Sequence, residues 1–267
     1  MPDLPRLRLV LEDGSSMVGT GFGARTPVGG EGVFNTAMAG YVDALTDPSY
    51  RGQILVATYP LIGNYGVPAA RPHGSLEGPY ESDDIQVQGL VVQHYVDEYS
   101  HHAATRSLGA WLREENVPGV TGIDTRTLTR KLREFGTMKG WLVPDDGDLE
   151  TTKRDAREVE MREDVFRLVA PSEVTRHGGG DLKILLVDTG AKDNILRSLL
   201  DRGASAIRSD GTPSPRSRSR DSSTTTMTAS PRGSTHSSNQ RAAIGLRTSR
   251  SAGLARWASH RARSIAG

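Results

Sequence analysis

"LKILLVDTGAKDNILRSLLDRGA", Leu182 to Ala204, contains a change of period that sets the fold class of its half of the chain. Leu182 to Val187 is a mostly apolar run, the kind that a parallel sheet buries on both faces. Ile195, Leu196, Leu199 and Leu200 then recur at helical spacing, and Gly203 ends the helix. A strand followed by an amphipathic helix is the first βα unit of a doubly wound sheet. Beyond it, "SDGTPSPRSRSR" (Ser209 to Arg220) has no apolar period.

The charge divides at the same place. Of 33 Lys+Arg and 32 Asp+Glu in 267 residues, eleven Arg and two Asp fall within 205–267, which has no Lys or Glu. That segment is therefore at +9 and residues 1–204 are at −8. Trp257 is its one aromatic residue, so it has little to bury against the entropy of ordering its backbone. A disordered tail is expected over 205–267. There is no cysteine in the chain, which excludes disulfides, thiolate metal sites and thiol nucleophiles. No run approaches the roughly 18 apolar residues of a membrane span. The start, "MPDLPRLRLVLEDG", is too short and charged for a secretory leader. A cytoplasmic protein with no membrane partner is expected.

Upstream, "LRLVLEDGSSMVGTG" puts Leu7, Leu9 and Leu11 on one strand face, with Asp13-Gly14 as a type I′ hairpin turn. "GVFNTA", "GQILVATYP", "DIQVQGLVVQ" and "TMKGWLV" are further strands, and Gly89 marks a bulge or a close approach. "ATRSLGAWLREENVPG" is a helix with Leu108, Trp111 and Leu112 inward. "GIDTRTLTRKLREFG" is another, capped by Asp124 or Thr125, with a stripe of Leu128, Leu132 and Phe135. Residues 145–175 are charged and predict one or two surface helices, and "RHGGGD" (Arg176 to Asp181) predicts a flexible linker. The divisions expected are an N-terminal unit over 1–175, a linker over 176–181, the start of a second domain over 182–204, and the tail over 205–267.

Several short patterns carry no chemistry. "GTGFGA" (Gly19 to Ala24) follows a hairpin instead of opening a helix, so it reads as a strand end and not as a dinucleotide fingerprint. No G-K-[ST] occurs. His101-His102 lacks partners at ligand spacing, and no metal site is expected. Asp83-Asp84 and Asp145-Asp146 read as solvated charge.

"GEGVFNTAMAGYVDALTDPSYRGQILVATYPLIGNYG" (Gly30 to Gly66) is more informative. Physically, Thr46-Asp47-Pro48-Ser49-Tyr50 is a turn: Pro48 fixes φ, while Asp47 and Ser49 can bond local amides. Taken with "LVLEDGSSMVG", "QGLVV", "GIDTRTLTRKLREFG" and "VDTGAKDNILRSLLDRG", the block closely resembles the small (glutamine amidotransferase) subunit of carbamoyl-phosphate synthase, in order and spacing over nearly all of 5–204.

The resemblance implies an α/β protein. A β-rich α/β N-terminal domain would precede a doubly wound, flavodoxin-like amidotransferase domain, of which this chain shows only the first βα unit. It implies hydrolysis of glutamine to glutamate and ammonia, with ammonia passed to a large subunit. That partner would make carbamoyl phosphate for arginine and pyrimidine synthesis and would carry the ATP and metal sites, leaving this chain without a cofactor. It also implies that Ser49, the serine of T-D-P-S-Y, contacts glutamine.

One departure bears directly on activity. The family's hydrolysis needs a cysteine nucleophile, a histidine and a glutamate. This chain has no cysteine, and the downstream S-N-G-P-G-D-P, G-x-C-x-G-H and Q-H-P-E patterns are absent; His236 and His260 match none of them. No catalytic residue is therefore assigned, and glutaminase activity is expected to be nil. A reading frame that slips near Ala204–Ser209 explains an Arg/Ser/Thr/Pro tail after a well-matched strand and helix. The alternative is a non-catalytic interaction protein that docks on the large subunit or binds nucleic acid through the basic tail. Nucleic-acid binding is disfavoured, because neither a folded module nor aromatic interleaving accompanies the arginines.

Overall fold

The computed structural model describes residues 5–73, 76–159, 165–210 and 225–229. Alternation in β1 (Arg6–Leu11) buries Leu7, Leu9 and Leu11 to 2% exposure or less, as its pattern predicts. Val10, on the opposite face, is buried too, where α4 (Leu149–Glu158), carrying the buried Ala156, packs on the strand. β1 pairs antiparallel with β2 (Ser16–Gly21) on one side and β7 (Met138–Pro144) on the other. From β7 the ladder continues through β3 (Val28–Asn35), β4 (Gln53–Ala57), β5 (Gly89–Val91) and β6 (Gly119–Thr121) back to β2. The result is a closed seven-stranded barrel in which β3, β4, β5 and β6 run parallel.

The β1–β2 hairpin differs from expectation. Gly14 alone takes positive φ (+84°), with Gly14 N–H donating to Leu11 O at 2.8 Å and Leu11 N–H to Ser15 O at 2.9 Å. This is a three-residue loop with glycine in the left-handed position, not a two-residue type I′ turn, because Asp13 keeps a negative φ.

The two faces of β4 feed two cores. Ile54 and Val56 join Leu7, Leu9 and Leu142 with Leu128 and Leu132 of α3 (Thr125–Phe135). Leu55 and Ala57 join Leu45 of α1 (Tyr41–Leu45) and Leu108, Trp111 and Leu112 of α2 (Leu108–Glu114). The Ser107 hydroxyl caps α2 through Ala110 N–H (3.2 Å), and Asp124 caps α3 through Thr127 N–H (2.9 Å). Phe135 departs from the predicted stripe at 67% exposure: the last turn of α3 runs past its buried face before Gly136 (φ +87°) ends it. Asp145, expected in solvent, is 12% exposed and paired with Arg8, with Arg6 at 3.4 Å.

"GTGFGA" is a strand end that needs glycine for close approach. A Cβ on Gly19 would stand 2.2 Å from Thr121 O and 2.8 Å from Val120 Cγ2, across the β2–β6 seam that closes the barrel. Gly19→Val is therefore expected to destabilise the barrel by about 2–3 kcal/mol through overpacking. A urea titration reads this as a lower midpoint at unchanged slope. Gly147→Val, where nothing lies within 4 Å, leaves the midpoint in place. Equal midpoints for the two variants would contradict this account of the seam.

After α5 (Val165–Val169) the second unit begins with β8 (Thr175–His177). β9 (Leu182–Asp188), α6 (Asp193–Leu200) and β10 (Ala204–Ser209) follow, and with β11 (Thr225–Ala229) the strands lie in the order β8-β10-β9-β11. Two expectations change here. Residues 205–209, assigned to the disordered tail, complete a parallel ladder from Leu182↔Ala204 to Val187↔Ser209. They do so because Ala204, Ala206 and Ser209 are small enough to bury against the sheet. The backbone of β11 also pairs with β9, and the rest of the predicted tail lies outside the described residues. The Gly178–Gly180 linker is packed: a Cβ on Gly178 would stand 2.8 Å from Ala204 O and one on Gly180 1.8 Å from Gly203 O. These glycines admit a neighbouring backbone.

Candidate functional site

The T-D-P-S-Y turn is stitched to the loop around Glu81 before it meets anything else. Thr46, fully buried, donates its hydroxyl to Val42 O (3.0 Å) and accepts from Glu81 N–H (2.9 Å), while Ser82 Oγ donates to Thr46 O (2.6 Å). Pro48–Tyr50 forms one 3-10 turn, with Asp47 Oδ1 accepting from Ser49 N–H at 2.9 Å. Ser49 is half-buried on this turn. Burial pushes the Tyr50 phenol up to about 12, with the Asp47 charge adding to it.

This double loop faces α6 of the second unit. Lys192 Nζ lies 2.5 Å from Asp47 Oδ2, and Asp47 is 4% exposed. No side chain of its own segment caps α6. Glu81 does so from across the seam: its carbonyl accepts from Asp193 N–H (2.9 Å) and its Oε2 from Asn194 N–H (3.0 Å). A carboxylate there satisfies orphan amides and opposes the positive end of the helix. Arg197, one turn on, donates to Tyr80 O (2.7 Å) and places a second nitrogen 3.8 Å from Glu81 Oε1. Leu76 closes the seam by packing with Leu186, Ala191, Leu196 and Ala206.

Behind this contact lies a buried charge cluster. Asp188 is fully buried, and its Oδ1 accepts from Gly190 N–H (2.8 Å) and Ala191 N–H (2.6 Å). Arg208 donates Nε to Asp188 Oδ2 and approaches Asp193 Oδ1 at 3.1 Å. Burial raises Asp193 to about 6 against the pull of Arg208. It raises Glu81 and Asp43 as well, each offset in part by Arg197 and Lys192. Desolvation, followed by the charge of Arg208, lowers His177. The seam thus sets a hydroxyl-bearing turn beside paired ammonium, guanidinium and carboxylate groups.

Ser49 was the one site residue expected from sequence, and it lies on the turn whose Asp47 meets Lys192. Lys192, Glu81, Arg197 and Arg208 were not expected. Glu81 sits in the acidic run "YESDD", whose Asp83 and Asp84 are exposed as predicted. His101 and His102 are exposed and ring on ring at 4.4 Å. Among the described residues no group of three His, Cys, Asp or Glu side chains could hold a metal, and no helix is long and apolar enough to cross a membrane.

Residues 9–142 match the family described as carbamoyl-phosphate synthase small chain, CPSase domain. The carbamoyl phosphate synthase small chain of Pyrococcus furiosus is 45% identical over 205 residues, covering 75% of this chain and 55% of that one. The arginine-specific small chain of Neosartorya fischeri is 42% identical over 205 residues, 75% of this chain and 45% of that one. Multifunctional protein pyr1-3 of Dictyostelium discoideum is 42% identical over 208 residues, 73% of this chain and 9% of that protein. The chain thus spans about half the length of the two small chains and a far smaller part of the multifunctional relative. On the barrel, the turn and these matches together, the chain belongs to the carbamoyl-phosphate synthase small chain family.

Proposed function

We propose that this chain is a small subunit of glutamine-dependent carbamoyl-phosphate synthase that docks on the large subunit but does not hydrolyse glutamine. The absence of any cysteine carries the negative half, because the family's nucleophile has no counterpart in the chain. The positive half rests on the barrel, on the match over 9–142 and on a T-D-P-S-Y turn held against α6. In this reading Ser49 keeps the family's contact with glutamine, a hydroxyl on a stiffened turn at the seam. The second unit is the opening of a doubly wound amidotransferase domain. ATP, bicarbonate and metal belong to the large subunit, and the setting is the cytoplasmic synthesis of arginine and pyrimidines. The assay that tests this is carbamoyl phosphate synthesis by the two purified chains, with glutamine and with ammonium as alternative nitrogen donors.

The tail fits a shift of reading frame. The full β9–β10 ladder supports an in-register message to Ser209, and in this reading the shift follows that codon, at the late edge of the window expected from sequence. Translation of the two other frames downstream of codon 209 is expected to yield a G-x-C-x-G-H elbow. Finding none in either frame refutes the shift. Binding of nucleic acid through the tail is the weaker reading, since the arginines there accompany a single aromatic residue.

A further inference from the structure

The seam between the two units, with the cluster behind it, buries more negative than positive charge. Asp47 and Glu81 of the barrel unit and Asp188 and Asp193 of the second unit are each at most 7% exposed. Among the described residues, three cations meet these four carboxylates: Lys192, Arg197 and Arg208. Two further acids, Asp43 and Asp83, stand exposed nearby and add to the imbalance. An unbalanced buried charge is costly, and a carboxylate sheds it by taking a proton.

The donors single out which carboxylate does so. Asp188 receives the Gly190 and Ala191 amides and Arg208 Nε. Asp47 receives Ser49 N–H (2.9 Å) and Lys192 Nζ (2.5 Å). Glu81 receives Asn194 N–H (3.0 Å) at the positive end of α6, with Arg197 3.8 Å away. Among the described residues, a single donor reaches the Asp193 carboxylate: Arg208 Nη1 at 3.1 Å, from a guanidinium already committed to Asp188. Asp193 also opens α6, where its own N–H donates across the seam to Glu81 O (2.9 Å), so its cover depends on docking. We infer that docking of α6 on the Glu81 loop binds a proton at Asp193, so that the two units hold together more tightly in mild acid than at neutral pH.

The sign follows from where the proton is held. Burial raises Asp193 to about 6, against Arg208 and Arg197 and with Asp83 and Asp188. Once α6 leaves the loop, that carboxyl returns toward its ordinary 3.8. The docked state therefore holds more protons, and docking tightens as pH falls through about 6 toward about 4. Glu81, raised by burial, works in the same direction. His177 of β8 works against it: desolvation and then Arg208 lower it, so acid charges it more readily when the second unit is unfolded. His73 pairs with Asp201 at the far end of α6 (2.8 Å) and gains charge in acid, so it requires its own control.

Two amides cross the seam and report its opening: Asp193 N–H to Glu81 O, and Asn194 N–H to Glu81 Oε2. Hydrogen exchange of the full chain, corrected for the intrinsic rate, is expected to show their protection rise about tenfold between pH ~7.5 and pH ~5. Asp193→Asn is expected to hold the acid level of protection at both pH values, whereas His73→Gln keeps the rise. Protection that stays flat or falls in acid overturns proton-linked docking. So does a full rise in Asp193→Asn, or a rise lost in His73→Gln. Where Asp193→Asn does not fold, the carboxyl carbon resonance of Asp193 in the unaltered chain decides. A titration midpoint near 6 supports the proton site, and one near 3.8 overturns it.

Discussion

With glutamine as sole nitrogen donor, this chain and the large subunit are expected to form no carbamoyl phosphate above the background of the large subunit alone, whereas ammonium supports synthesis. The reason is chemical. Splitting a carboxamide through a covalent intermediate needs an activated nucleophile, and deleting that group alone costs about 10⁶-fold in a well-studied hydrolase. The candidate replacement, the Ser49 hydroxyl, has no base in its own turn. Asp47 is committed to the Ser49 amide and to Lys192, and Tyr50, raised to about 12, is a neutral phenol at any working pH. In the proposed reading Ser49 positions the substrate, but nothing in its turn can take its proton. Adding a small subunit that has the cysteine should restore use of glutamine and show the large subunit to be competent. Turnover of glutamine above background without that addition would remove the central claim.

Period was legible in the sequence, and closure was not. Leu7, Leu9 and Leu11 of β1 and the helix stripe of Leu108, Trp111 and Leu112 follow from local spacing, and the structure selects Asp124 over Thr125 as the cap of α3. The barrel does not, because β5 and β6 are three residues each and hold their places through neighbours distant in sequence. β10 was hidden by composition: "ASAIRS" looks like the Arg/Ser tract that follows, and only its small alternating residues set it apart. Resemblance singles out the turn that bears Ser49, while the residues that meet this turn across the seam were invisible for a physical reason. Glu81 caps a helix that begins more than a hundred residues later, so no local rule separates it from the exposed acids beside it. Likewise Lys192, in the loop before α6, becomes a site residue only when the seam supplies Asp47.

Asp188→Ala is expected to destabilise the second unit by about 3–5 kcal/mol, the usual cost of stripping one partner from a buried ion pair. Three interactions end on this fully buried carboxylate: the Gly190 and Ala191 amides and the Arg208 guanidinium. Without it, two amides in the β9–α6 turn lose their acceptor, and Arg208, 18% exposed, keeps only Asp193 among those carboxylates. That residual pair is weak compensation, because burial already raises Asp193 to about 6 and so works against its charge. Hydrogen exchange should register the loss across Leu182–Ser209, with the barrel strands unchanged, since separate sites add independently. Asp188→Ala combined with Arg208→Met should recover part of the loss, because removing both charges leaves no unpaired ion in the interior. A single variant within about 1 kcal/mol of the parent chain would mean that Arg208 is solvated when Asp188 is absent. The seam would then be held by Lys192–Asp47 and by the Glu81 cap on α6, and the buried cluster would be a bystander to it.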